Sequence, residues 1–336
     1  MHYLVTGHTG FKGSWMIALL SSQGHQISGI ALEPKSESLF RQANLHKFLD
    51  HDLRVDIRDR EALSDAIGTI NPDVVIHMAA QSQVLESYEK PIDTYDINVT
   101  GTLNVLASLN EIKNLKATVI VTTDKVYKNF GGLHKYNEGD PLGGNDPYSA
   151  SKAMADILTQ SWIENKINSP IGIARAGNVI GGGDFSPNRL IPNLMDALLK
   201  GNDPIIRNPS SIRPWQHVLD CLSGYLSLVE YLIKNQESGI WNFGPRDEVC
   251  KTVEELSNYV ISLVNPKKNW QQSKTRHQSE ESILLIDSSK ARNLLKWTEK
   301  LDFEASVSNT VNWYKNSPQS SFEELIFNAV TDYLDL

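Results

Sequence analysis

The run His2-Tyr3-Leu4-Val5-Thr6-Gly7-His8-Thr9-Gly10-Phe11-Lys12-Gly13 decides the fold. Its first half carries the continuous apolar run Tyr3-Leu4-Val5, as a buried strand does. Its second half spaces glycines at Gly7, Gly10 and Gly13, and a helical pattern follows from Ser14 to Ser22. A strand, a glycine loop and a helix in that order form a cradle for a dinucleotide pyrophosphate. The first glycine permits the tight turn, the second lets the phosphates approach the backbone, and the third lets the helix pack on the strand. The free amides of the helix start then face the phosphates. Thr9, Phe11 and Lys12 fall in the same loop and are expected to touch the cofactor.

The pattern repeats outward. Gln26 to Leu32 reads as a second strand, with Glu33 placed to bond a ribose 2′-hydroxyl, which favours NAD over NADP. Asp56 and Ile57 follow a short strand and are expected near the adenine. Arg60 to Gly68 reads as a helix. Asp73 to Gln81 is a further buried strand, and Ala79 and Ala80 at its end leave room for the cofactor. His77 on this run is expected to be a satisfied core histidine, and Asn98 to bond backbone within the domain. Strands alternating with helices predict a Rossmann-type, doubly wound parallel sheet.

The chain has 336 residues, net charge −8 and two cysteines, Cys221 and Cys250. That size allows about two domains. The acidic balance argues against a nucleic-acid partner. Two cysteines give no disulfide framework and fit a reducing cytosol. The strand-like start and the lack of a long apolar run predict a cytoplasmic protein with no membrane partner. No metal is expected.

The chemistry concentrates in a second stretch. Val119-Ile120-Val121 reads as a buried strand that runs into Thr122-Thr123-Asp124-Lys125. Tyr148-Ser149-Ala150-Ser151-Lys152 reads as a helix start, with Tyr148 and Lys152 one turn apart on one face. Open α/β sheets place their chemistry beyond the carboxyl ends of the strands, so both groups should meet in one cleft.

Together with the glycine loop, Thr123-Asp124-Lys125 and Tyr148 with Lys152 resemble the extended short-chain dehydrogenase/reductases. Within them the chain is most similar to the nucleotide-sugar 4,6-dehydratases, and Lys125 after the aspartate resembles the CDP-glucose branch. Gly143 to Ser149, Arg175 to Asp184, Arg213 to Val218 and Trp241 to Pro245 also carry the likeness, up to about Tyr314. The chain departs from the pattern at Ser82 to Glu86, where the family usually places an arginine.

The resemblance implies residues 1–177 and 215–240 as an NAD-binding domain, and 178–214 and 241–336 as an interleaved domain for a nucleotide-diphosphate hexose. It implies NAD as a tightly held cofactor and a homodimer or homotetramer. Deoxysugar biosynthesis, as for lipopolysaccharide O-antigen, would be the setting. Gln81, Ser82, Asn178, Arg189, Arg213 and Asn242 become substrate contacts, the two arginines because a guanidinium fork matches phosphate oxygens. Trp215 and Trp241 are expected in the core, and the residues after Asn316 form a docking helix.

The implied reaction is internal redox with loss of water, from CDP-glucose to CDP-4-dehydro-6-deoxyglucose. Tyr148, with Lys152 beside it, takes the 4-hydroxyl proton and Thr123 holds that oxygen. Asp124 fills the acid slot and Lys125 the base slot. Isolated pKa values of about 3.9 and 10.4 favour the opposite charge states by about 9 kcal/mol, so burial must close much of that gap. Other readings are a dehydratase for GDP-, UDP- or dTDP-hexoses, a sugar-nucleotide 4-epimerase that uses only Tyr148 and Lys152, and a catalytically silent NAD-binding scaffold.

Overall fold

A computed structural model describes residues 1–165, 169–246, 250–273 and 283–336. Seven parallel strands form its central sheet: β1 (His2–Thr6), β2 (Gln26–Ala31), β3 (His51–Arg54), β4 (Val74–His77), β5 (Ala117–Val121), β6 (Ile171–Ala176) and β7 (Gly239–Phe243). Their order across the sheet is β3-β2-β1-β4-β5-β6-β7. Residues of β4, β5 and β6 are all buried, as the near-continuous apolar runs require when helices cover both faces. The strand order reverses between β1 and β4, which is where such sheets open a crevice.

The crevice is welded at its base. Thr6 Oγ1 accepts from the Met78 and Ala79 amides at 3.2 Å, joining β1 to the chain after β4. The same hydroxyl meets His77 Nδ1 at 2.7 Å, and His77 Nε2 meets Thr102 Oγ1 at 3.1 Å. His77 is a satisfied core residue, and burial pushes its imidazole down to about 3. Asn98 bonds both backbone groups of Gln81 and the Ser151 hydroxyl, as expected of a residue working within the fold.

Helix α1 (Phe11–Ser22) buries its middle against the sheet, and α2 (Arg60–Ile70), α3 (Gly101–Leu109) and α4 (Pro147–Asn165) follow in turn. After β6 the chain builds α5 (Leu190–Leu199) and short strands, then returns through α6 (Val218–Asn235), which packs on the sheet. The boundary expected at residue 240 is corrected here. Gly239–Phe243 is not the start of a separate unit: it pairs along its length with β6 and completes the sheet, because Trp241 and Phe243 bury there. Further on lie α7 (Val253–Val264), α8 (Phe303–Asn316) and α9 (Phe322–Leu334), the last packed on α1 and burying Ile326 and Val330. Trp215 and Trp241 are both buried. Both cysteines are free thiols. No helix among the described residues is long and apolar enough to cross a membrane.

Gly13 is required by contact. A Cβ there would lie 2.4 Å from Gly7 O and 2.5 Å from His8 Cα, both backbone atoms that cannot step aside. Gly13→Ala is expected to lower stability by at least about 2 kcal/mol in urea unfolding. Gly68→Ala, in exposed α2 with nothing within 4 Å of the added carbon, is expected to raise it by about 0.5–1 kcal/mol.

Candidate active site

One cavity of about 740 Å³ opens at the carboxyl ends of the strands. The glycine loop forms one wall, with Gly7, Thr9, Gly10, Phe11, Lys12 and Gly13 lining it. Gly7 adopts φ +72°, and a Cβ on it would come 2.7 Å from the Ala79 amide nitrogen. The loop is thus drawn tight against β4 and clears a trough over the start of α1. That shape fits a dinucleotide pyrophosphate, whose charge the first-turn amides favour. Asp56, Ile57, Ala79 and Ala80 line the same trough. Asp56 is held by Arg58, whose guanidinium and amide keep the carboxyl below its usual range.

Glu33 does not line the cavity. Its carboxylate is taken up by Arg41 and by Arg54 Nε at 3.2 Å, and it is largely exposed. The strand ends two residues before it, so its side chain turns outward, and Leu32 and Lys35 line the trough instead.

The other end of the cavity lies past β5. Thr123 caps a short turn, Asp124–Val126, and its Oγ1 donates to Asp124 Oδ1 at 3.0 Å while accepting the Lys125 amide at 3.4 Å. Asp124 is 1% exposed, and its Oδ2 has no hydrogen-bond partner among the described residues. Burial raises its carboxyl above the usual range, against the opposing pull of Lys125, the Thr123 bond, Arg213 and Lys12. A buried, half-satisfied carboxyl held toward its protonated form is what an acid needs.

Helix α4 delivers Tyr148 and Lys152 to the same wall. Burial pushes the Tyr148 phenol up to about 12, opposed by the Thr123 hydroxyl and the Arg189 charge. Lys152 is pushed down to about 8, first by burial and then by the Lys12 charge. Its ammonium donates to Val121 O at 3.0 Å. The protein alone therefore raises the phenol instead of lowering it, because desolvation outweighs the neighbouring cations.

Of the expected substrate contacts, Gln81, Ser82, Asn178, Arg189 and Arg213 line the cavity. Gln81 spends its side chain on Gln83 and Thr94. Asn242 is corrected: it is fully buried outside the cavity, accepting from Tyr127 Oη at 2.6 Å and donating to Tyr136 O and Asp287 O. Arg207, after the short strand Ile205–Ile206, joins Arg189 and Arg213 along the lining, and no motif marked it.

The model of the GDP-mannose 4,6 dehydratase family matches residues 4–310. The chain belongs to that family. It is an extended short-chain dehydrogenase/reductase of the nucleotide-sugar 4,6-dehydratase kind. This family member is 41% identical over 322 residues to the CDP-glucose 4,6-dehydratase of Salmonella typhimurium, covering 93% of this chain and 89% of that one. It is 27% identical to a UDP-glucose 4-epimerase of Mycoplasma pneumoniae, over 93% of this chain and 96% of that one. Among solved structures it is similar to the dTDP-glucose 4,6-dehydratase of Bacillus anthracis in complex with NAD, with a TM-score of 0.81, 26% identity, and 95% and 98% of the two chains covered.

The low value at Lys152 predicts the alkaline behaviour of the site. Its ammonium is present below about pH 8 and is lost as pH rises through that value. The rate is expected to fall on that limb. Lys152→Arg, which stays charged, should be slower overall yet lack the limb in a pH–rate profile.

Proposed function

We propose that this enzyme converts CDP-glucose to CDP-4-dehydro-6-deoxyglucose and water. The single observation that carries the reading is Asp124: a buried carboxyl with one free oxygen, beside Lys125, in the same cavity as Tyr148 and Thr123. A 4-epimerase has no use for such an acid. The relative at 41% identity favours cytidine as the base.

In this reading Gly7, Gly10 and Gly13 with the start of α1 hold the pyrophosphate of NAD, and Asp56 and Ile57 border its adenine. When bound, NAD supplies a positively charged ring and the acceptor for a hydride that leaves sugar C4 and returns at C6. Tyr148 Oη takes the proton of the 4-hydroxyl, while Thr123 Oγ1 bonds the same oxygen and fixes the sugar. Lys152 keeps a cation behind the phenol. The 4-keto group makes the C5 proton acidic, and Lys125, half-buried beside Asp124, fills the base position that removes it and returns it to C5 as the hydride arrives at C6. Asp124 Oδ2 gives its proton to the 6-hydroxyl as the C6–O bond breaks, so one water leaves. Arg189, Arg207 and Arg213 face the substrate diphosphate, where guanidinium forks bind best. The small lobe built after β6 carries these arginines, in keeping with a sugar-nucleotide domain interleaved with the NAD-binding one. The product suits deoxysugar biosynthesis, O-antigen included.

A homodimer or homotetramer is also proposed. Leu103 on α3 and Met154 and Ile157 on α4 stand exposed on two helices that pack together. Met154 and Ile157 are three residues apart and share a face. Exposed apolar side chains on two packed helices support this reading, since such surface is often covered by a second subunit.

Two experiments test these readings. Asp124→Asn with CDP-glucose should show the near-ultraviolet absorbance of reduced nicotinamide but no mass loss of one water in the sugar nucleotide. Normal dehydration by that variant would sink the acid assignment. Ile157→Asp should shift the light-scattering mass in solution to that of one chain.

A further inference from the structure

We propose that Asp156 and Arg175 are positioning residues of the dehydration, their buried ion pair holding the Thr123–Lys125 turn in register with Tyr148 and Lys152. The inference rests on the reading of the site given above. Neither residue lines the cavity, and both are almost wholly buried. Arg175, on β6, forks onto Asp156, on α4, with Nε–Oδ2 at 2.8 Å and Nη2–Oδ1 at 2.7 Å.

The pair reaches the catalytic turn from both sides. Thr122, just before it, donates through Oγ1 to Asp156 Oδ2 at 3.1 Å. Tyr127, just after it, accepts from Arg175 Nη1 at 3.0 Å, and the guanidinium lies 4.9 Å from the centre of its ring. Tyr127 is fixed in turn by Asn242 on β7. On the helix side, Asp156 sits one turn beyond Lys152 and two beyond Tyr148, on the same face. One fork therefore ties the turn that carries Thr123, Asp124 and Lys125 to the helix that carries the phenol and the ammonium. The Asp156 charge also favours the charged form of Lys152.

Stability alone is a poor account of such a pair. Two charges taken out of water often gain little over well-packed apolar side chains. What they supply is directional: a bidentate fork sets angle as well as distance. Misplacing a catalytic group by about 1 Å costs on the order of 100-fold in rate.

The test uses the full chain with NAD and CDP-glucose. Asp156→Asn, which keeps the shape but not the charge, is expected to lower kcat by about 10- to 100-fold, with KM and the Kd for NAD within about twofold of the parent. Backbone amides of residues 122–127 should exchange hydrogen faster in that variant, with no substrate present. Thr122→Val and Tyr127→Phe each cut one tether and spare the pair, and each should lower kcat by a smaller factor. Unchanged kcat in a folded Asp156→Asn, or a rise in KM alone, overturns the proposal. Should that variant fail to fold, full turnover in both tether variants overturns it. Should the parent chain dehydrate no nucleotide hexose, the proposed function falls, and amide exchange in the turn still decides whether the clamp is real.

Discussion

Exclusion of water from the carboxyl ends of β5 and β6 governs everything the site does. Desolvation disfavours whichever form of a group is charged. It moves Asp124 up, Lys152 down and Tyr148 up, all toward neutrality. For the acid this is help, since a carboxyl shifted toward its protonated form is the better proton donor to a leaving hydroxyl. For the phenol it is a burden, holding the group up at about 12 against the Thr123 hydroxyl and the Arg189 charge. Neighbouring charges set the limit on how far neutrality goes: Lys125, Arg213 and Lys12 oppose the shift at Asp124, and Arg189 opposes it at Tyr148. Acid and base at one place need opposite help, and the site reconciles them by making the acid the deepest group.

The glycine loop, the alternation of strands and helices, and the pairing of Tyr148 with Lys152 were all legible in the sequence. Each rests on local rules: a turn that needs a missing Cβ, a period of two or 3.6, one helical turn between two side chains. Lys12, Asp124 and Arg213 lie along the cavity; Asp124 was expected there because its strand runs into the cleft, and Arg213 only because the family resemblance implied it.

What was not legible depends on partners far along the chain. Glu33 was read as facing a ribose because it follows a strand, yet Arg41 and Arg54 claim it, and nothing local to Glu33 announces them. Asn242 lies in a motif-like run, but Tyr127, 115 residues away, takes its side-chain oxygen. The boundary at residue 240 failed for the same reason: only pairing with β6 makes Gly239–Phe243 a strand of the large sheet. Asp156 had a readable signal, four residues after Lys152, but its meaning came from an arginine on the next strand.

The return of the chain to β7 has a mechanical consequence. The polypeptide leaves the sheet after Ala176, comes back with α6 and β7, and leaves again after Phe243. No single backbone nick can release either half, so limited proteolysis at one site would leave the assembly noncovalently intact. The two exits lie side by side, with the Gly177 amide 3.4 Å from Phe243 O. A carbon added at Gly177 would also stand 3.1 Å from Asp124 Oδ2. The place where the chain twice leaves the sheet thus lies directly beside the Asp124 carboxyl, so side-chain bulk added there would press on that group.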